Sequence, residues 1–333
     1  MSFDLSNKFT SVLVLNRLTK QKNYMKKLTI LMIFLSSNLF AQLENTQIMI
    51  TCVRTGDTEI FVVNPVTGDA FNITKSPGSE ERYPAWHPNG KQVIFTSNRE
   101  DGKTYNYFIA NLDGTNLKKI TSLPEGSVAY WGAFTADGKW IYFNEGNTSK
   151  ICRVKPDGTQ QEVVTAGRDA NISPDGKKLV FTQKGQKDWG VWIMDSDGEN
   201  RKQIIPNESE IGGIAPVWSP DGKRVAFSMQ VGEIAEIFSC NADGSDIMQL
   251  TDLKQISSSP AYSPDGKFIT FRVTNEAYWR DAKKMKQTYD EKAGDKRPVW
   301  IMNVDGTNAK IIEVLHYQCA MDGSRAAVFN SKQ

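Results

Sequence analysis

Ala215-Pro216-Val217-Trp218-Ser219-Pro220-Asp221-Gly222-Lys223-Arg224-Val225-Ala226-Phe227 reads as a short strand, a tight turn and a second strand. Val217 and Trp218 close the first strand. In Ser219-Pro220-Asp221-Gly222 the proline presets φ at the second turn position, the aspartate can bond its own backbone, and the glycine accepts a positive φ. Arg224-Val225-Ala226-Phe227 then supplies the apolar positions of a half-buried strand.

The chain repeats this hairpin. Pro84-Ala85-Trp86-His87-Pro88-Asn89-Gly90-Lys91 precedes Val93-Ile94-Phe95, and Gly132-Ala133-Phe134-Thr135-Ala136-Asp137-Gly138-Lys139 precedes Ile141-Tyr142-Phe143. Asn171-Ile172-Ser173-Pro174-Asp175-Gly176 precedes Leu179-Val180-Phe181, and Pro260-Ala261-Tyr262-Ser263-Pro264-Asp265-Gly266 precedes Phe268-Ile269-Thr270-Phe271. A degraded copy, Met321-Asp322-Gly323 to Phe329, lies near the C-terminus. Between the copies runs an offset strand that ends in an Asp-Gly turn, as at Asp113-Gly114, Asp197-Gly198, Asp243-Gly244 and Asp305-Gly306. A short strand such as Lys119-Ile120-Thr121 or Gln249-Leu250-Thr251 follows it.

Each period therefore holds four strands. The turn glycines Gly90, Gly138, Gly176, Gly222, Gly266 and Gly323 lie 48, 38, 46, 44 and 57 residues apart. Four short strands in a period of about 40–45 residues is the signature of a β-propeller blade. The stretches between strands are too short for crossover helices, which excludes a parallel α/β sheet. The expected fold is all-β: a six-bladed propeller of four-stranded antiparallel blades.

The pattern P-x-W-S-P-D-G-K, an apolar-x-Phe strand and then N-x-D-G resembles the WD40-like (PD40) repeat of TolB-type propellers, from about Gln47 to Phe329. The resemblance implies the fold and leaves the function open, because one fold hosts many activities. Gln42 leads almost directly into a strand, so the α/β domain that precedes the propeller in TolB is not expected. Oligogalacturonate lyase, a propeller enzyme with similar repeats, resembles this chain less: its metal site uses several histidines, and this chain has only His87 and His316.

Residues 1–24 carry no repeat and read as an upstream extension. Met25-Lys26-Lys27, the apolar run Leu28 to Leu39, and Ala41 before Gln42 read as a secretory signal peptide over 25–41, too short for a membrane span. An uncleaved anchor is the other reading of that stretch. Residues 42–333 form the single propeller domain, placed in the periplasm or outside the cell. Removing residues 1–41 takes away six of the 40 basic groups and one of the 38 acidic groups, leaving a formal net charge of −3. The basic balance of the whole chain therefore gives no support to nucleic-acid binding.

Cys52, Cys152, Cys240 and Cys319 form no C-x-x-C pair, and no metal or cofactor is expected. Cys152 and Cys240 fall on third strands and read as buried apolar residues. Asp195-Ser196-Asp197-Gly198 resembles the start of a calcium loop, but its glycine stands fourth where that loop needs it sixth; it reads as a hairpin turn. No G-x-S-x-G is present, so no nucleophile elbow is expected.

Five blades span about 82–123, 128–166, 168–206, 213–252 and 257–314. A sixth is expected to be shared by the N-terminal strands 48–53, 59–63 and 70–74 and a C-terminal strand, which removes exposed sheet edges. Both 48–53 and 325–329 read as its second strand, with Tyr317-Gln318-Cys319-Ala320 innermost; Cys52 and Cys319 would then lie near each other. The fifth full blade carries a long insertion, Asn275 to Arg297. In it Tyr278, Ala282, Met285 and Tyr289 recur at helical spacing, so a short amphipathic helix is expected there.

Function is expected at the variable connections around the channel mouth rather than at the Asp-Gly turns. The candidate residues are Arg82, Tyr83, Arg99, Tyr130, Trp131, Arg168, Asp169, Trp189, Tyr278, Trp279, Arg280 and His316. Aromatic and charged groups converging there suit a peptide segment or a glycan. The expected role is an exported, monomeric, non-catalytic module that binds an envelope protein or glycan. A carbohydrate- or peptide-processing enzyme is the alternative, which a carboxylate pair facing the channel would favour.

Overall fold

A computed structural model describes residues 46–52, 57–64, 67, 69–184, 189–206, 215–274, 299–311 and 327–330. The expected helix in 275–297, Tyr278, Trp279, Arg280, His316, Cys319 and the proposed signal segment lie outside them.

Strands follow the repeat closely. The first sheet contains β1 (Thr46–Cys52), β2 (Glu59–Val63) and β3 (Ala70–Asn72). The second is β4 (Glu81–Trp86), β5 (Gln92–Ser97), β6 (Asn106–Asn111) and β7 (Lys118–Lys119). The third is β8 (Ala129–Phe134), β9 (Ile141–Glu145), β10 (Lys150–Val154) and β11 (Glu162–Ala166). The fourth is β12 (Arg168–Ile172), β13 (Lys178–Lys184), β14 (Trp189–Asp195) and β15 (Lys202–Ile205). Two further sets follow: β16 (Val217–Trp218), β17 (Arg224–Val231), β18 (Ile234–Asn241) and β19 (Met248–Gln249), then β20 (Ile256–Tyr262), β21 (Phe268–Thr274), β22 (Val299–Asn303) and β23 (Lys310–Ile311). These two sets join into one eight-stranded sheet through the single parallel pairing of Ala235 with Ile256. Every other strand pairing within the sheets is antiparallel.

The last described strand, β24 (Ala327–Asn330), pairs antiparallel with β1 and gives the first sheet the order β24-β1-β2-β3. N- and C-terminal strands thus share one sheet, as expected. Its internal order differs from expectation. Residues 48–52 take the second place, and Ala327–Asn330 takes the edge place expected for Tyr317 to Ala320. Antiparallel pairing with β1 leaves one edge of β1 for β24 and the other for β2, so 325–329 cannot also be second. The edge strands contact one another in succession: β4 with β8, β8 with β12, β12 with β16, β16 with β20, β20 with β24, and β24 with β4.

The repeated Phe of each second strand makes the core. Phe95, Phe143, Phe181, Phe227 and Phe271 are all at most 1% exposed, and the residues on either side of each are buried too, so the second strands are covered on both faces and not half-buried as expected. Cys152 and Cys240 are buried and free; burial pushes their thiols up to about 12 and about 11. The Ile-Thr and Leu-Thr endings have a hydrogen-bonding cause. Thr121 Oγ1 accepts the Tyr107 N–H at 2.8 Å and donates to Asn106, and Thr251 Oγ1 accepts the Ile237 N–H at 2.9 Å and donates to Glu236. Each threonine satisfies the backbone where the two-residue fourth strand stops.

The Pro-Asp-Gly turns are built by a hydroxyl. Ser219 Oγ donates to Asp221 at 2.6 Å and accepts the Arg224 N–H at 2.9 Å, while Lys223 N–H donates to the same carboxylate at 3.1 Å. Thr135, Ser173 and Ser263 repeat the arrangement with Asp137, Asp175 and Asp265. The Asp-Gly turns use a hydroxyl from the following side: Thr115, Thr159, Ser245 and Thr307 donate to Asp113, Asp157, Asp243 and Asp305. These bonds favour the charged form, so Asp113, Asp137, Asp157, Asp175, Asp221, Asp243 and Asp305 are all held below the ordinary 3.8, with Asp137 at about 2. A depressed folded value contributes stability that is present above pH 3.8 and lost as pH falls through the folded values. The urea midpoint should therefore drop steeply between about pH 4 and about pH 2. Thr135→Val and Ser219→Ala together should flatten that drop; an unchanged pH profile in the double variant would refute the role of the hydroxyls.

Candidate binding site at the bulged first strands

The first strands are irregular at one repeated position. Their pairing shifts register between Arg82 and Ala85, Tyr130 and Ala133, Arg168 and Asn171, and Ser258 and Ala261. The residue inserted at each shift is left-handed without being glycine: Tyr83 at φ 50°, Trp131 at 53°, Asp169 at 60° and Ser259 at 54°. Ala215, at 36°, holds the same place ahead of β16. Such a conformation costs a side-chain-bearing residue roughly 1–2 kcal/mol, and a bulge turns the side chain out of the strand's alternation.

Side chains of the preceding sheet pin these bulges. Asn144, fully buried on β9, accepts the Asp169 N–H at 3.0 Å and donates to the Gly167 carbonyl at 3.2 Å. The Tyr107 hydroxyl accepts the Gly132 N–H. Asn171 Oδ1 accepts the Trp218 N–H at 2.9 Å.

The structure brings together Tyr83, Tyr130 and Trp131, all half-buried. Ring centroids lie 5.9 Å apart for Tyr83–Tyr130, 6.5 Å for Tyr83–Trp131 and 5.0 Å for Tyr130–Trp131, the last two pairs meeting edge to face. Asp169 follows on the next sheet, completely buried, with Arg168 Nε 3.8 Å from its carboxylate. Burial, and then the Asp169 charge, push the Tyr130 hydroxyl up to about 12. Arg82 donates to Glu80 at 2.6 Å and lies over the Tyr105 ring, whose hydroxyl donates to the same Glu80 carboxylate. The charged groups along this wall are thus matched by the chain's own partners.

Arg99 turns inward. It bonds Ser97 at 2.9 Å and Glu81 at 3.1 Å and lies over the Phe95 and Phe108 rings. Trp189 begins β14, opposite Lys184; its side chain is outside the description. Sequence reasoning missed Tyr105, Tyr107 and Asn144. Tyr83, Ala215 and Ser259 each precede a proline, which by itself favours extended backbone, so their left-handed conformation had no local signal in the sequence. Among the described residues no three of His, Cys, Asp and Glu converge as metal ligands, and no helix is long and apolar enough to cross a membrane.

Several comparisons agree with this geometry. An uncharacterized protein of Agrobacterium fabrum is 27% identical over 191 residues, covering 53% of this chain and 63% of that protein. A TolB homolog of Chlorobium chlorochromatii is 27% identical over 142 residues, covering 41% of this chain and 31% of that protein. The chain thus spans less than two thirds of the length of the curated relatives it matches. The solved structure of a protein assigned as TolB from Agrobacterium tumefaciens superposes with a TM-score of 0.62 at 18% identity, over 85% of this chain and 97% of that one, a likeness of fold. The model of the TolB beta propeller domain matches residues 42–213 and 171–278. With that match covering most of its length, and with antiparallel four-stranded modules built on the same repeat, the chain belongs to the TolB beta propeller domain family.

Proposed function

We propose that this chain is an exported, monomeric, non-catalytic six-bladed propeller that binds a protein segment of the cell envelope at its bulged first strands. The closed succession of contacts among β4, β8, β12, β16, β20 and β24 supports the ring. The basic and apolar run 25–41 supports export. TolB homologs among the relatives favour a protein over a glycan as the partner. The observation that carries the binding reading is the wall of Tyr83, Tyr130 and Trp131. Five non-glycine residues are held in a costly backbone conformation at one register, and strain of this kind gathers at functional positions. The matched charges beside the wall would make binding weakly dependent on salt. The steep angles between the rings, 85° and 75°, leave no flat platform for a sugar and suit a compact apolar side chain.

Tagged mature protein, residues 42–333, should recover an envelope protein from detergent-solubilised membranes. Trp131→Ala should reduce that recovery about tenfold or more, as truncation of a central aromatic anchor does. Recovery unchanged by Trp131→Ala and Tyr83→Ala would overturn the site. Recovery abolished by glycosidase treatment of the extract would assign a glycan instead.

A further inference from the structure

Two buried carboxylates lie on adjoining strands, within electrostatic reach of each other, where the sheet of the two chain ends meets the next one. Glu59 of β2 is 2% exposed and Glu81 of β4 is 0% exposed. The Glu81 N–H donates to the Thr58 carbonyl at 2.8 Å, so the strands meet backbone to backbone. Glu59 accepts the Ser76 N–H at 2.8 Å and the Thr74 hydroxyl. Glu81 Oε1 accepts three donors: Ser79 at 2.6 Å, Ser97 at 2.8 Å and Arg99 at 3.1 Å. Glu81 Oε2 is buried and has no partner among the described residues.

The same seam recurs between β18 and β20, and there it is balanced. Glu236 accepts the Thr251 hydroxyl and the Lys254 N–H, as Glu59 accepts its pair, and then the Ser257 hydroxyl at 3.2 Å. Ser257 and Glu81 hold equivalent places, two residues before the left-handed Ser259 and Tyr83. Where one seam puts a hydroxyl donor opposite the glutamate, the other puts a second carboxylate.

Among the described residues, the charge count at this seam leaves one negative charge over. Glu59 and Glu81 face a single described guanidinium, Arg99. Of the other groups nearby, Glu80 is paired with Arg82, Lys75 turns out over Phe71, and Asp57, which accepts the Gly78 N–H at 2.8 Å, adds further negative charge. An uncompensated buried charge is strongly disfavoured, and such a pair neutralises instead. We propose that Glu81, buried beside Glu59, takes up one proton from solvent, carried on its unpartnered Oε2, and that this proton latches the sheet of the chain ends onto its neighbour.

Burial is the leading cause that raises the Glu81 carboxyl above its ordinary 4.5; the Glu59 charge adds to it, and Ser79, Ser97 and Arg99 oppose it. A raised folded value gives stability that is full below pH 4.5 and is lost as pH rises through the folded value. This is opposite in sign to the turn aspartates, so the latch is tightest in mild acid.

The test uses the full mature chain. The wild-type Tm should fall by about 2–4 °C between about pH 5 and about pH 8. Glu81→Gln, which fixes the neutral form, should remove that slope and match or exceed wild type at the higher pH. The infrared carbonyl band of a protonated carboxyl should be present in the wild type below the transition and weaker in Glu81→Gln. Parallel Tm curves, or no change in that band, would overturn the proposal. Glu59→Gln gives the same comparison if Glu81→Gln does not fold. A rise in wild-type Tm on adding millimolar calcium at the higher pH, absent in Glu81→Gln, would assign the site to a metal ion and overturn the proton.

Discussion

Gly244→Ala is expected to lower stability by about 2–5 kcal/mol, whereas Gly198→Ala should cost only about 1–2 kcal/mol. Both glycines close Asp-Gly turns with positive φ, 90° and 100°. A methyl group at Gly198 would meet nothing within 4 Å. At Gly244 it would stand 2.5 Å from the Ile204 carbonyl oxygen of the preceding sheet. Backbone of the fourth strand cannot yield as a flexible side chain can, so relief requires the two sheets to part. Gly114 and Gly306 stand in the same relation to Ile73 and Leu250. Urea unfolding of the two variants in parallel checks the difference; equal losses would mean that the turn conformation, and not the approach of neighbouring sheets, makes the glycine necessary.

Asn144→Ala is expected to cost about 2–4 kcal/mol and to loosen the candidate site at the same time. The substitution leaves the Asp169 N–H and the Gly167 carbonyl without their side-chain partner in a buried place, where each orphan costs about 1–3 kcal/mol. Thr182, at the equivalent position of the next sheet, is the internal control. Its hydroxyl is buried but has no partner among the described residues, so Thr182→Ala should cost about 1 kcal/mol or less. The site should report the first change and not the second. With the Asp169 bulge released, the Tyr130 hydroxyl should titrate below its raised value of about 12, and the near-ultraviolet signal of Tyr130 and Trp131 should weaken. A stability loss without either spectroscopic change would make Asn144 a general packing residue with no special bearing on the wall.

How far the sequence reaches follows from the range of each interaction. The hairpins at Gly138, Gly176, Gly222 and Gly266 were legible because aspartate, glycine and, in the last three, proline act within a few residues. The core phenylalanines were legible because each copy of the repeat puts an apolar run ending in Phe just after the turn, although the burial of both faces of those strands was not. Arg82, Tyr83, Tyr130, Trp131, Arg168 and Asp169 were expected on the variable connections, but they lie inside β4, β8 and β12 at the bulges. Their left-handed backbone was not evident, since it rests on Asn144, Tyr107 and Asn171 reaching across from neighbouring sheets. Arg99, charged and next to an acidic stretch, looked like a rim residue; its pairing with Glu81 and its place over Phe95 and Phe108 depend on how the neighbouring strands β4, β5 and β6 present their side chains once paired.

By itself, then, the sequence determined the repeat, the turns, the core phenylalanines and the sharing of one sheet between the two chain ends, all consequences of local chemistry recurring at a fixed period. Tertiary structure alone decided that β1 lies between β24 and β2, that Gly114, Gly244 and Gly306 bear against the preceding sheet, and that Glu59 comes within electrostatic reach of Glu81. Those outcomes depend on which surfaces come within a few ångströms once the sheets are packed. No pattern along a single strand carries that distance.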